Sequence, residues 1–309
     1  MPSTIEVQQL TKRFGDFHAV KDLSFTVNEG DVCGFLGQNG AGKSTTIRML
    51  LTLIRPSSGE IFINGKDIKS HRKEILEHTG AIIERPDLYN YLTAAENLTV
   101  FARLNGIRPS HKLIADKLAQ VGLAERSASK VKTFSQGMKQ RLGIAVSMVH
   151  DPSLIILDEP TNGLDPQGIA DMRSLIIGLS REHGKTILVS SHLLAEIEQI
   201  ATRMVIIDRG TKIVEGDMKD LLDPEFIVME IATTDDSQCM DWLRKSSWVG
   251  ALQSGKLSIA TIKVNRKDVP QLTRDLVLAG IDILSIRPMN TLEEYFLSLT
   301  NPRKNVEPN

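Results

Sequence analysis

The nonapeptide Gly37-Gln38-Asn39-Gly40-Ala41-Gly42-Lys43-Ser44-Thr45 fits the pattern G-x-x-x-x-G-K-[ST], a set of residues suited to binding phosphate. Its glycines let successive backbone N–H groups converge on phosphate oxygens with no side chain in the way. Lys43 brings a point charge to β and γ phosphates, and the Ser44 hydroxyl can ligate Mg2+. A helix starting here would turn its positive end toward the anion. A chance match somewhere in a chain of this length has odds on the order of 1 in 100. The apolar run 32–36 before it supplies the strand that the motif needs.

Two further strings follow in order. In LIILDEP, residues 154–160, four apolar residues predict a buried strand with two carboxylates at its carboxyl end, where open α/β sheets bind ligands. Asp158 is placed to hold Mg2+, and Glu159, one step on, can orient or deprotonate an attacking water. Alone, an acidic pair after a strand is as often a solvated turn. In FSQGMKQR, residues 134–141, Ser135 and Gly137 stand at a helix start, offering a hydroxyl and open N–H groups to phosphate. Alone, that string reads as an ordinary N-cap. The order phosphate loop, FSQGM, Asp158-Glu159 changes the weight of all three.

These residues need elements to hold them. Ile5, Val7 and Leu10, then Leu23, Phe25 and Val27, show the alternation of half-buried strands, and residues 59–68 read as a hairpin around Asn64-Gly65. Met138, Leu142, Ala145, Val146 and Val149 recur at helical spacing. Asp165-Pro166 is a helix start, with Ile169, Met172, Leu175, Ile176 and Leu179 on one face. Residues 186–190 read as the next strand, and the alternation implies a parallel sheet with crossover helices. After about residue 220, strands at 226–231, 248–252, 257–264 and 281–286 and helices at 241–245 and 269–279 spell β-α-β-β-α-β, the split ferredoxin-like pattern. Thr291 and Glu294 form a capping box for a last helix with Leu292, Tyr295, Phe296 and Leu299 on one face, and residues 301–309 are a polar tail.

With these motifs together, the chain resembles the ATP-binding subunit of an ABC transporter, and residues 5–220 resemble its whole nucleotide-binding cassette. FSQGM stands where the family has its LSGGQ signature, Asn162-Gly163-Leu164-Asp165 resembles the D-loop, and Ser190-Ser191-His192 ends a strand where the family has its switch histidine. The implied fold is α/β: a P-loop cassette with a mixed sheet core and a helical signature subdomain over residues 1–220, followed by a small α+β domain, residues 221–300. The resemblance implies that Phe14 stacks on adenine, that Ser135 and Gly137 reach ATP held by another protomer, and that His192 contacts the γ-phosphate. It also places Glu84, in IIERPDLYNYLTAAENL, where the family carries its Q-loop glutamine. An ionised carboxylate can accept but not donate a hydrogen bond, so Glu84 could take a metal- and water-sensing role but not bond as glutamine does. Gln136 and Met138 likewise replace the family's Gly and Gln, whereas Ser135 and Gly137 are retained. Glu84 together with FSQGMKQR is similar to drug- and antibiotic-export ATPases of the bacitracin- and daunorubicin-resistance type. Each implied ATP site is composite, so the expected partners are a second cassette, as a homodimer or a second cassette chain, and an integral membrane permease subunit.

Composition bears on the partners. The 309 residues carry 37 Lys+Arg against 38 Asp+Glu, a formal net charge of -1, which weighs against a nucleic-acid partner. Cys33 and Cys239 lie too far apart for metal-ligand spacing and fit a reducing compartment. The amino terminus has no signal-peptide pattern and no apolar run approaches the roughly 20 residues of a membrane span. The expected location is therefore the cytoplasmic face of the membrane, reached through the permease. The alternative reading is a soluble ABC ATPase acting on the ribosome or DNA. The single cassette, the lack of a long coiled-coil insertion and the balanced charge count against it. For the C-terminal domain, a passive appendage and a regulatory or dimer-supporting role weigh equally.

Overall fold

A computed structural model describes residues 2–221, 225–252 and 260–289. It divides into two compact units, Met1–Met218 and Lys219–Asn309. The proposed capping box at Thr291 and Glu294, the apolar face from Leu292 to Leu299 and the polar tail lie outside the described residues.

The first unit holds ten strands among the described residues: β1 Ser3–Phe14, β2 Phe17–Asn28, β3 Val32–Leu36, β4 Ser58–Ile63, β5 Lys66–Asp67, β6 Thr79–Ile82, β7 Leu154–Asp158, β8 Thr186–Ser191, β9 Arg203–Asp208 and β10 Thr211–Asp217. They form an antiparallel sheet of order β2-β1-β4-β5 and a mixed sheet of order β10-β9-β3-β8-β7-β6. In the mixed sheet β9, β3, β8, β7 and β6 run parallel, and β10 is the antiparallel edge. The parallel strands β3, β7 and β8 are buried at every position, as strands covered on both faces must be. Their carboxyl ends at Leu36, Asp158 and Ser191 therefore finish at one edge. The alternation in β1 and β2 buries Ile5, Val7, Leu10, Leu23, Phe25 and Val27 in one core with Phe35 and Ile47. The β4–β5 hairpin turns at Asn64 and Gly65, whose φ values of 50° and 74° suit a type I′ turn.

Between the carboxyl end of β6 and β7 run the helices Ala94–Leu104, His111–Gln120 and Gln136–Ser147. Thr93 and Glu96 form a reciprocal capping box on the first, and Ser110 and Ser135 cap the other two. Asp165 caps the helix Pro166–Arg181, with proline at its first turn.

The second unit has β11 Phe226–Thr233, β12 Ala260–Asn265 and β13 Ile283–Met289 in an antiparallel sheet of order β12-β11-β13, with helices Asp236–Lys245 and Val269–Leu278. Its core joins Met229, Ile231, Ile262, Leu243, Leu272 and Leu276. The strand expected at 248–252 is corrected: Val249–Ala251 is a 3-10 turn, and Leu252 makes a single antiparallel bridge to Ile262. Trp248 drives this departure, for its indole N–H donates to Asp275 at 3.0 Å and its backbone N–H to the Ser246 hydroxyl, which bends the chain.

Candidate functional site

The turn from β3 into the helix Lys43–Leu50 wraps a cavity of about 480 Å³ whose lining includes Gln38, Asn39, Lys43, Ser44, Thr45, Glu159, Asn162 and His192. Two glycines are required by space here. A Cβ at Gly37 would stand 2.6 Å from the Ile207 carbonyl, and one at Gly42, where φ is 106°, 2.6 Å from the Ala19 carbonyl. The helix that follows has no side-chain cap, so its first N–H groups are open to an anion.

Lys43 is 6% exposed, and a buried ammonium needs acceptors. It donates to the Gly37 carbonyl at 2.6 Å and pairs with Glu159 Oε1 at 3.1 Å. The other Glu159 oxygen accepts from His192 Nδ1 at 2.6 Å. A hydrogen bond to an ionised carboxylate places the proton on Nδ1 and so selects the ring's tautomer. Lys43, Glu159 and His192 thus form one continuous polar chain along the cavity.

Glu159 has φ 51°, a left-handed conformation that costs a non-glycine residue of order 1–3 kcal/mol. Ser190 holds it there. Its hydroxyl accepts from the Glu159 N–H at 2.9 Å and donates to Asp158 Oδ1 at 2.5 Å. Asp158 is 1% exposed, and its second oxygen, Oδ2, has no hydrogen-bond partner. A buried carboxylate oxygen without a donor is costly, and a divalent cation would satisfy it. Asp158 lies behind the cavity lining that carries Ser44, and its orphaned oxygen and the Ser44 hydroxyl are donors of the kind that Mg2+ takes.

The structure brings Lys43, Ser44, Glu159 and His192 together and puts other expected residues elsewhere. Phe14 does not line the cavity: its ring, 52% exposed, lies 4.9 Å from the Lys12 ammonium. The aromatic on the cavity wall is Phe17, which pairs with Phe14 across the tight turn between β1 and β2. Glu84 also lies outside the cavity lining, and its carboxylate accepts from Arg48 Nη2 at 2.8 Å. At φ 62° the Glu84 backbone is left-handed, and Arg48 belongs to the same helix that begins at Lys43. Ser135 accepts from the Met138 N–H at 3.2 Å, and neither Ser135 nor Gly137 lines the cavity. Gln136 donates to the Asn162 carbonyl at 3.2 Å, and Gly137 lies against Leu164 and Gly168, so the FSQGM turn packs on the turn 162–165 and the start of the helix Pro166–Arg181 of its own chain.

Sequence reasoning missed Phe17, Asn162 and Ser190 as site residues. Each had a signal: a second aromatic in RFGDF, the first residue of NGLD, and the first serine of Ser190-Ser191-His192.

Comparisons with known proteins identify the family. The ABC transporter family profile matches residues 20–162. The chain is 41% identical over 300 residues to the bacitracin transport ATP-binding protein BcrA of Bacillus licheniformis, covering 97% of this chain and 98% of that one. It is 38% identical over 243 residues to the Nod factor export ATP-binding protein I of Burkholderia lata, covering 77% of this chain and 80% of that one. Among solved structures it is similar to cbiO1 from Clostridium perfringens, part of the ABC transporter complex cbiONQ, with 27% identity, a TM-score of 0.67, and coverage of 72% of this chain and 92% of that one.

Proposed function

This chain belongs to the ABC transporter family as an ATP-binding, ATP-hydrolysing subunit, and from that premise we propose that two copies of it close on ATP to drive export through a separate membrane subunit. The observation that carries this reading is the polar chain Lys43–Glu159–His192 beside the unpartnered Asp158 Oδ2, with Ser135 and Gly137 outside the same cavity.

In this reading the phosphate loop holds ATP through its N–H groups and the Lys43 ammonium. Glu159 is the general base: its carboxylate orients the attacking water and takes its proton as the water oxygen bonds to the γ-phosphorus and the bond from that phosphorus to the β–γ bridging oxygen breaks, leaving the oxygen on ADP. ADP and phosphate leave, and the proton passes to solvent. His192 holds the Glu159 carboxylate through Nδ1, which keeps the base aimed while an incoming phosphate competes for Lys43. Asp158 and the Ser44 hydroxyl would hold Mg2+, which neutralises phosphate charge when bound. Ser135 and Gly137 close the site from the second copy, with Asp165 holding the D-loop at that junction. Phe17, on the cavity wall, is the better placed aromatic for adenine.

A cleft of about 420 Å³ supports the membrane partner. Its wall includes Leu53, Leu76, Ile83, Leu88 and Phe101, with Arg72 and Arg85. An apolar cleft with charged margins suits a segment of another protein. No helix among the described residues is long and apolar enough to cross a membrane, so the spanning segments belong to that partner in this reading. The subunit would sit on the cytoplasmic face. The relatives named for bacitracin transport and for Nod factor export favour export as the direction.

Complementation tests the shared site. Lys43→Ala and Ser135→Arg should each be inactive alone, because each spoils both sites of a homodimer. Mixed, they form dimers in which one site has an intact phosphate loop and an intact signature serine. ATPase activity should return to about a quarter of wild type if mixing is random and the two sites act independently. No recovery on mixing, with both variants folded, would contradict a site shared between copies.

A further inference from the structure

We propose that Glu196 is a positioning residue for ATP hydrolysis, a clasp that ties the segment bearing Glu159 to the segment bearing His192. The proposal rests on the roles given to those two residues above. Glu196 lies in the short helix Leu194–Ile197 and is half-buried. One oxygen, Oε2, accepts from the Thr161 hydroxyl at 2.6 Å and from the Ser191 hydroxyl at 3.3 Å. Thr161 stands two residues after Glu159, and Ser191 immediately precedes His192. The Thr161 contact has the length of a charge-assisted O–H···O⁻ bond, about twice as strong as a neutral one.

The clasp has a physical task. Glu159 occupies a backbone conformation that resists it, and its 2.6 Å contact with His192 demands that the ends of β7 and β8 keep their spacing. Ser190 fixes the Asp158 side of that junction. Nothing in that first link holds the turn beyond Glu159. Thr161 begins this turn, its carbonyl accepting from the Leu164 N–H at 3.1 Å, and the turn leads to Asp165. The Ser191 hydroxyl accepts from the Leu193 N–H at 3.0 Å, and its proton lies between Glu196 Oε2 at 3.3 Å and the Leu193 carbonyl at 3.4 Å, the charged oxygen being the stronger acceptor. One carboxylate oxygen therefore sets both flanks of the Glu159–His192 pair. Displacements of about 1 Å at such a pair cost up to roughly 100-fold in rate.

The test compares steady-state ATPase of the full chain with Glu196→Ala, Glu196→Gln and Thr161→Val, each also placed over His192→Ala. Glu196→Ala and Thr161→Val should each lower kcat about tenfold with KM for ATP within about twofold, and together no further than the worse single change. Glu196→Gln keeps an acceptor oxygen for Thr161 and should recover most of kcat. Over His192→Ala, removing Glu196 or the Thr161 hydroxyl should add less than about twofold, because the geometry they guard is already lost. ATP binding reports folding, and if Glu196→Ala fails to bind ATP, Thr161→Val decides the matter. Unchanged kcat, or the same tenfold loss with and without His192, would overturn the clasp. A wild-type chain without ATPase activity would instead overturn the reading on which it rests.

Discussion

Replacing Glu159 by Gln is expected to lower ATP turnover by about 100-fold or more while leaving ATP affinity within a few-fold of wild type. The substitution keeps size and shape, and glutamine bears the left-handed backbone at φ 51° at a similar cost to glutamate. It removes the one property the mechanism needs, the capacity to take a proton from water. Lys43 loses its ionic partner but keeps the Gly37 carbonyl at 2.6 Å, so the phosphate loop holds its shape. His192 Nδ1 still finds a carbonyl oxygen at position 159. Single-turnover hydrolysis and equilibrium nucleotide binding, measured on one preparation, separate the two quantities. Turnover within threefold of wild type would remove Glu159 from the role of base.

Lys43→Ala should act on the other quantity. The side chain is 6% exposed and bonded at 2.6 and 3.1 Å, so the loop is built around the ammonium. Its loss deletes a charge-assisted contact to phosphate and leaves Glu159 at 18% exposure without its cation, a repulsive neighbour for an anion. About 2–3 kcal/mol of ATP binding should be lost, or roughly 30–150-fold in Kd by titration calorimetry. AMP, which lacks the β and γ phosphates, should be affected far less. A Kd for ATP within threefold of wild type would show that the ammonium does not contact the phosphates.

What the sequence discloses about this site follows from how local each signal is. Residues 37–45 and Asp158-Glu159 are readable because the loop and the strand end are contiguous, and the chemistry follows from residue types in fixed order. Ser135 and Asp165 read correctly as helix caps for the same reason. Phe14 and Phe17 are three residues apart on either side of a tight turn, and which ring faces the cavity depends on the pairing of β1 with β2. Glu84 illustrates a tertiary effect: Arg48, 36 residues earlier, takes its carboxylate, and no spacing rule links the two. The bonds that give Ser190 and Glu196 their tasks are tertiary in the same way, since their partners lie about 30 residues away on the neighbouring strand end. In the second unit the β-α-β-β-α-β pattern placed two helices and three strands, and failed at 248–252. There the Trp248 indole bond to Asp275 outweighs the β preference of Trp and Val.

In the proposed mechanism ATP joins two copies of this chain and its hydrolysis releases them. Light scattering of full-length Glu159→Gln with MgATP measures that directly. The predicted result is a particle of twice the chain's mass with MgATP and of single mass with MgADP, with the doubled species abolished by adding Ser135→Arg. A mass that is the same in both nucleotides, in a chain shown to bind both, would contradict it.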